Sequence, residues 1–179
     1  MKGNKMRSLL IIFMFSLALC AKGLTLPEHF TAKFIQKITN PKKKVIVYRG
    51  NVYFSDKSLF KWEYISPTKK EVCTNTHELT VVDHDLEQVS YYKIDRGFNL
   101  SKILKKARKH KKNIYVASYE NKHYTIQVDG KRRLHSIAYF DDLDNKVQLI
   151  FKKVKYAKGS LSKRIITCKI PSNYDTIRE

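Results

Sequence analysis

The chain has 179 residues, and 36 Lys and Arg against 16 Asp and Glu give it a formal charge of +20 at neutral pH. This length fits one domain that can bury a core, and no apolar stretch long enough to span a bilayer follows residue 23. The charge favours anionic partners such as phospholipid head groups, acidic proteins or nucleic acid. An ordinary solvated surface would explain the same lysines equally well.

The N-terminus has the pattern of a secretory signal peptide. Basic residues precede an apolar run from Leu9 to Leu19, and Ala21-Lys22-Gly23 supplies small residues for cleavage. We expect cleavage after Gly23, which leaves a single domain over residues 24–179 with a formal charge of +16, because four basic residues leave with the leader. Leu17-Ala18-Leu19-Cys20 allows lipidation of Cys20 as an alternative, although Leu19 is bulky where a lipoprotein signal needs a small residue.

The first predicted element after the leader is a helix over residues 25–40. Thr25 is placed to cap it, Pro27 falls in its first turn, and Asn40-Pro41 ends it. Its apolar positions are Phe30, Phe34, Ile35 and Ile38, which recur at helical spacing.

Strands are predicted next, because the following segments are rich in branched and aromatic residues. They run over 45–54, 59–66, 71–73, 79–83 and 88–93. Short polar links force neighbouring strands to be antiparallel, since a parallel pair needs a crossover of a dozen or more residues. The result is a meander.

A second helix is predicted from Gly97 to Lys109, in which Ile103 and Leu104 belong to the apolar side. Strands then resume over 113–119, 123–128, 133–140, 146–156 and 164–170. Asp129-Gly130 and Glu120-Asn121 are hairpin signals. About ten antiparallel strands tend to curl into a barrel or half-barrel, and we expect both amphipathic helices to cover its concave face.

The densest aromatic segment is Leu59–Pro67. Phe60, Trp62 and Tyr64 alternate along it and therefore share one face of the strand. Three large rings on one face suit either an ordinary core strand or the wall of an apolar cavity. Cys73 and Cys168, the two cysteines after the leader, form either one disulfide in an oxidising compartment or two buried thiols.

No catalytic constellation is evident, so we predict a protein that is not an enzyme and needs no cofactor or metal. Asp83-His84-Asp85 reads as a solvated turn, because consecutive residues point in different directions and no second histidine lies at ligand spacing. Neither a Gly-x-Ser-x-Gly elbow nor a Gly-rich phosphate loop is present. Nucleic-acid binding by the basic run Lys102–Lys112 is disfavoured by the signal peptide and by the amphipathic spacing of that run.

Several segments, taken in order, resemble the LolA family of periplasmic lipoprotein carriers. They are FTAKFIQK at 30–37, GNVYF at 50–54, LFKWEY at 59–64 with Pro67, DHDLEQV at 83–89 and, more weakly, CKIP at 168–171. No single segment is diagnostic, but the ordered set is fairly specific.

The resemblance implies an incomplete antiparallel β-barrel of about ten or eleven strands, with a helical lid over an apolar cavity. Phe60 matches the family's cavity aromatic, Trp62 the tryptophan beside it, and Ile103 or Leu104 an aliphatic lid position; Phe30, Phe34 and Tyr64 complete the predicted cavity. The implied function is a monomeric periplasmic chaperone that carries acylated lipoproteins from an inner-membrane ABC transporter to an outer-membrane receptor or membrane surface.

Two departures from the family pattern concern the residues that tie a strand to the lid and the conformation of one turn. Asp56-Lys57 stands where members carry an arginine-proline pair, and Thr76 replaces a turn glycine. The alternatives on the same half-barrel are an envelope sensor resembling RseB and a receptor resembling LolB. The sensor type needs a further C-terminal domain, and the receptor type needs a lipidated Cys20.

Overall fold

A computed structural model describes residues 24–55, 59–75, 77–94 and 99–178. The predicted signal peptide with Cys20 lies outside this part of the chain. So do Asp56, Lys57 and Thr76, at which the sequence departs from the family pattern.

Within the described residues, twelve strands form one sheet accompanied by two short helices. The strands are β1 His29–Thr39, β2 Val45–Ser55, β3 Leu59–Ser66, β4 Lys70–Thr74, β5 Glu78–Asp83, β6 Gln88–Lys93, β7 Arg108–Lys111, β8 Ile114–Tyr119, β9 Lys122–Val128, β10 Leu134–Phe140, β11 Lys146–Ala157 and β12 Asp175–Arg178. The helices are α1 Leu100–Lys106 and α2 Lys163–Ile166. None of the described helices has the length and apolar character needed to cross a membrane.

The sheet order is β12-β6-β5-β4-β3-β2-β1-β11-β10-β9-β8-β7. The predicted meander from β2 to β6 is confirmed, and so are the antiparallel strands β8 to β11. β7 and β12 were not predicted from the sequence, and they are four-residue strands at the two edges. β12 differs from the others because it pairs in parallel with β6.

The sheet is open at both edges but strongly curled. Trp62 on β3 and Phe151 on β11 have ring centroids 6.1 Å apart, although β2 and β1 lie between these strands. In a flat sheet three strand spacings would separate them by about 14 Å. The rings therefore converge over a concave face, as the predicted half-barrel requires.

The predicted helix over residues 25–40 is wrong, because this segment forms strand β1 in the middle of the sheet. Phe30 and Phe34 face the concave side, opposite Phe54 and Gly50 of β2, whereas Ile35 pairs with Arg49 on the outer side. β1 also pairs with β11 along its length, with one register shift between Thr31 and Lys33.

The second predicted helix is confirmed but is shorter than expected. α1 ends at Lys106, and the chain continues as β7 from Arg108. Asn99 caps the helix, since its side chain accepts a hydrogen bond of 2.9 Å from the backbone N–H of Lys102. Gly97, the predicted start, lies outside the described residues.

The predicted strand over residues 164–170 is also wrong. Residues 163–166 form α2, and the chain after it crosses the outer face of the sheet, opposite the aromatic rings. Cys168 is joined there to Cys73 of β4 by a disulfide, which settles the alternative left open by the sequence. Lys61 of β3, 4% exposed, bonds both Glu71 and the carbonyl of Thr167 under this segment. Of the two described helices, only α1 lies on the concave face.

Candidate functional site

The concave face of β1, β2 and β3 carries a continuous cluster of aromatic rings. The Phe34 ring lies 5.0 Å from the rings of both Trp62 and Tyr64. Phe54 joins Phe30 and Phe60, because its ring lies 5.4 Å from that of Phe30 and 4.7 Å from that of Phe60. Phe151 of β11 connects this group to the other rings, since its ring lies 6.5 Å from that of Phe30 and 6.1 Å from that of Trp62. The alternation of residues along β1 and β3 thus brings all five predicted cavity aromatics together.

One glycine allows this arrangement. Gly50 lies on β2 directly opposite Phe34, and a Cβ atom there would come within 2.8 Å of Cε1 of the Phe34 ring and would overlap the Glu63 carbonyl. Only a residue without a side chain lets the ring lie on the strand backbone. Phe34 therefore rests in a notch formed by Gly50.

The cluster is packed tightly on one side and more open on the other. Phe30, Phe34 and Phe60 are buried, whereas Trp62 and Tyr64 are only partly buried. Next to Trp62, the concave side of β4 and β5 continues with residues that are also partly exposed: Val72, Val81 and Leu79. An apolar surface thus extends from the filled part of the half-barrel toward solvent.

Helix α1 packs against the buried part of the concave face. Ile103 and Leu104 are 0% and 2% exposed and belong to the same core cluster as the rings, and α1 packs mainly against β8. The Leu104 carbonyl accepts a hydrogen bond of 3.0 Å from the backbone N–H of Leu24. The two predicted lid residues are therefore located on a single helix of seven residues.

The polar groups at the margin of this face are neutral and hydrogen-bonded. The Tyr64 hydroxyl donates to Oε1 of Gln36 at 3.0 Å, and burial, with a smaller contribution from Tyr48, raises the pKa of Tyr64 to about 12. Burial also raises the pKa of Tyr139. Both phenols therefore stay protonated at neutral pH.

Sequence reasoning missed several contributors to the concave face. They are Val52, Phe54, Leu149, Phe151, Ile126 and Ile137, all of which are buried. Each lies at an alternating position of its strand, so the two-residue period that identified Phe60 would also have found them.

Two other groups of side chains have the composition of a site. Glu71 lies beside Cys73 and Cys168 within metal-ligand distance, but the two sulfur atoms are bonded to each other and offer no thiolate. A broad open groove of about 810 Å³ lies beside the end of α1 and includes Lys105, Lys106, Arg108 and His123. Its lining is mixed, with Val116, Ala117 and Tyr124 beside the basic side chains, and it contains none of the predicted cavity aromatics.

Comparison with known proteins supports the resemblance found in the sequence. Residues 27–123 match the family described as outer membrane lipoprotein carrier protein LolA. A curated relative from Campylobacter jejuni, an outer-membrane lipoprotein carrier protein, is 35% identical over 173 residues, which cover 96% of this chain and 99% of the relative. This chain belongs to the LolA family.

Other LolA-family relatives extend the match. Carrier proteins from Wolinella succinogenes and Helicobacter hepaticus are each 28% identical, over 70% and 87% of this chain and 73% and 86% of their own lengths. A crystal structure of an uncharacterized conserved protein from Thermus thermophilus shares the fold, with a TM-score of 0.55 and 12% identity over 86% of this chain and 92% of that one. The family match covers β1 to β8 with α1, and so contains every predicted cavity residue.

Proposed function

We propose that this protein carries lipoproteins by holding their acyl chains on the aromatic concave face. The observation that carries the proposal is the convergence of Phe34, Trp62 and Tyr64 on the concave face, with centroid distances of 5.0 Å from Phe34 to both other rings. The curated relatives are named outer-membrane lipoprotein carrier proteins, which is the function this geometry suits.

The energetics of the cargo explain why such a face is needed. Each methylene group removed from water stabilises the bound state by about 0.8 kcal/mol, so a long acyl chain left in water costs on the order of 10 kcal/mol. A carrier therefore needs a large apolar area that opens and closes, and no reactive group. The partly exposed surface around Trp62 and Val72 is the natural entry for an acyl chain.

Loading requires the helix to move. Ile103 and Leu104 are buried in the same core cluster as the rings, so acyl chains would displace α1 from β8 and take the place of its apolar side chains. A helix of seven residues held by few elements is suited to this, because local opening is easiest where packing is limited.

The cellular setting follows from this role. We infer a periplasmic, monomeric carrier that receives acylated lipoproteins from an inner-membrane ABC transporter and delivers them to an outer-membrane receptor or membrane surface. The predicted signal peptide supports export, and the excess of basic residues supports contact with anionic head groups or an acidic partner.

The test is native mass spectrometry of the mature protein incubated with membrane vesicles that contain an acylated lipoprotein. A soluble one-to-one complex is expected with the acylated cargo and not with the same cargo lacking its acyl chains. Trp62→Glu should abolish the complex, because a carboxylate at the edge of the cluster opposes acyl binding. Trp62 is preferred to Phe60, whose ring is buried against Phe54, since a charge at Phe60 would threaten folding.

Ile177→Glu provides the matched control. Ile177 is an apolar residue of edge strand β12 that is 41% exposed, and the same charge there should leave loading unchanged. Loading by a folded Trp62→Glu variant at the wild-type level, or equal binding of cargo without acyl chains, would refute the assignment of the concave face.

A further inference from the structure

Four turns lie side by side at one end of the curled sheet. The antiparallel register places at this end the β1–β2, β3–β4, β5–β6 and β10–β11 connections. We call this end the turn rim and define it by residues 40–46, 65–69, 84–87 and 140–146. A fifth turn at this end, Glu120-Asn121, has no apolar residue.

The turn rim has the most exposed large apolar side chains among the described residues. Six of them are between 47% and 75% exposed: Val45, Ile46, Ile65, Leu86, Phe140 and Leu143. All other exposed large hydrophobic residues in the described part are at most 45% exposed, and none of those lies at the rim. Each of the four turns contributes at least one of the six.

Turn chemistry does not account for these residues. Leu86 and Leu143 sit in turns whose hydrogen bonds are made by other side chains, since Asp83 accepts from the N–H of Leu86 and Asp141 from the N–H of Leu143. Exposed turn tips are ordinarily polar. Leu86 is 69% exposed and Leu143 is 75% exposed, so neither side chain stabilises the fold by being buried.

We propose that the turn rim is a docking edge for the surface of a phospholipid bilayer. Neighbouring turns of this sheet are two strand spacings, or about 10 Å, apart, so the apolar residues form a row of separate anchors with polar residues between them. A protein partner favours one contiguous, tightly packed patch. A fluid bilayer interface accepts separate anchors, each in its own place.

The positive charge that suits an anionic lipid surface is concentrated in one turn of the rim. Five rim lysines make no salt bridge among the described residues: Lys42, Lys43, Lys44, Lys69 and Lys146. Asp83 and Asp142 are paired with Lys70 and Lys122, at 2.8 Å and 2.9 Å, and Asp85 and Asp141 accept backbone hydrogen bonds. The rim as defined holds as many acidic residues as lysines, so a marked excess of positive charge is found only at the β1–β2 turn, where Lys42, Lys43 and Lys44 adjoin the exposed Val45 and Ile46.

This inference does not depend on the carrier function, because the rim and the aromatic face are different surfaces. The experiment is flotation of the mature protein with vesicles of phosphatidylethanolamine and phosphatidylglycerol that contain no lipoprotein. The wild type is expected to float with the vesicles, and Leu86→Ser with Leu143→Ser is expected to bind them at least about tenfold more weakly, since both anchors lose their apolar contact.

Three controls make the result specific. Val116→Ser and Ile177→Ser, each at a residue 41% exposed and away from the rim, should bind as the wild type does. Trp62→Glu should also bind normally, which separates docking from lipid uptake by the concave face. Changing Lys42, Lys43 and Lys44 to glutamine should weaken binding to these vesicles and leave binding to neutral phosphatidylcholine vesicles unchanged.

Several results would overturn the proposal. One is a wild-type protein that does not float, and another is a folded rim variant that floats equally well. A third is loss of binding by the Val116 or Ile177 variants to the same degree. If sedimentation instead shows that the rim substitutions dissociate an oligomer while vesicles bind no variant, a second copy of the chain covers the rim.

Discussion

Lys61 shows how one residue can have a role opposite to the one its type suggests. Its position on β3 alternates with the aromatic stripe, which predicts a solvated face. In the structure it is 4% exposed, lies 3.0 Å from the Glu71 carboxylate and donates to the Thr167 carbonyl at 3.1 Å. Glu71 in turn accepts from the N–H of Lys169 at 2.8 Å. The Lys61–Glu71 pair therefore holds residues 167–169 on the outer face of the sheet.

Replacing Lys61 by methionine should strongly destabilise the protein. The substitution leaves the Glu71 charge buried without its cation, which typically costs about 3–5 kcal/mol. The double variant Lys61→Met with Glu71→Leu should recover most of this loss, although the N–H of Lys169 still lacks its acceptor. Urea unfolding of both single variants and the double variant measures the coupling; additive losses would contradict a buried pair.

The alternation along β3 predicted which aromatic residues share a face, but it did not reveal that Lys61 is buried, and the reason is physical. Alternation along one strand is local, so Phe60, Trp62 and Tyr64 could be assigned to one face without knowledge of the rest of the chain. Whether the opposite face is covered depends on a segment about a hundred residues later, which no local pattern reports. The same limit hid the contact between Glu71 and Lys169.

At the scale of elements, β1 shows why periodicity misled the sequence analysis. Phe30, Phe34 and Ile38 are spaced by four residues, which is close to one helical turn and equals two strand repeats. Ile35 favoured the helix, but it lies on the outer side of the strand opposite Arg49 and Ile150. Pairing with two long neighbouring strands decided the outcome, and a single sequence does not show that pairing.

The predicted strand at 164–170 failed for a related reason. Its branched residues suit a strand, but a strand needs a free edge to pair with, and the edge at β6 is taken by β12. The segment is instead held across the sheet by the N–H of Leu161, which donates to Oγ of Ser55, and by the disulfide. Competition for the edge is a property of the whole sheet.

Helix α1 should open more readily when its cap is removed. Asn99→Ala deletes the acceptor for the N–H of Lys102 and should destabilise the helix by about 1 kcal/mol. Amide hydrogen exchange in α1 should therefore quicken about fivefold, while exchange in β1 stays unchanged. Ser162→Ala is the matched control, because Ser162 caps α2 without a side-chain hydrogen bond.

If exchange in α1 is the same in Asn99→Ala and the wild type, the cap does not limit opening of the lid. If the Ser162→Ala variant quickens exchange in α1, the two helices are coupled through the sheet.

For the whole molecule, the disulfide links the chain that follows α2 covalently to strand β4 of the sheet. Cys73 and Cys168 are 95 residues apart, and a crosslink over so long a loop restricts the unfolded chain. Changing both cysteines to alanine should lower the free energy of unfolding by about 2–4 kcal/mol, measured by urea denaturation. Reducing agent should produce a similar loss in the wild type and none in the variant.

Equal stability of the variant and the oxidised wild type would show that Lys61, Glu71 and the packing of Ile166 suffice to hold the segment. Because the cysteines and the ion pair are neighbours, their effects should be measured together as well as separately.

The position of β1 at the centre of the sheet also has a consequence for the order of folding. Its pairing with β2 is local and is complete once residue 55 is available, but its pairing with β11 joins His29 to Ala157. Until β11 pairs with β1, one side of this eleven-residue strand presents unpaired backbone N–H and C=O groups to any other chain. Strands β2 to β6 therefore pair through local contacts, whereas β11 pairs with β1 late. Between these two steps the newly made protein is most prone to pair with other chains.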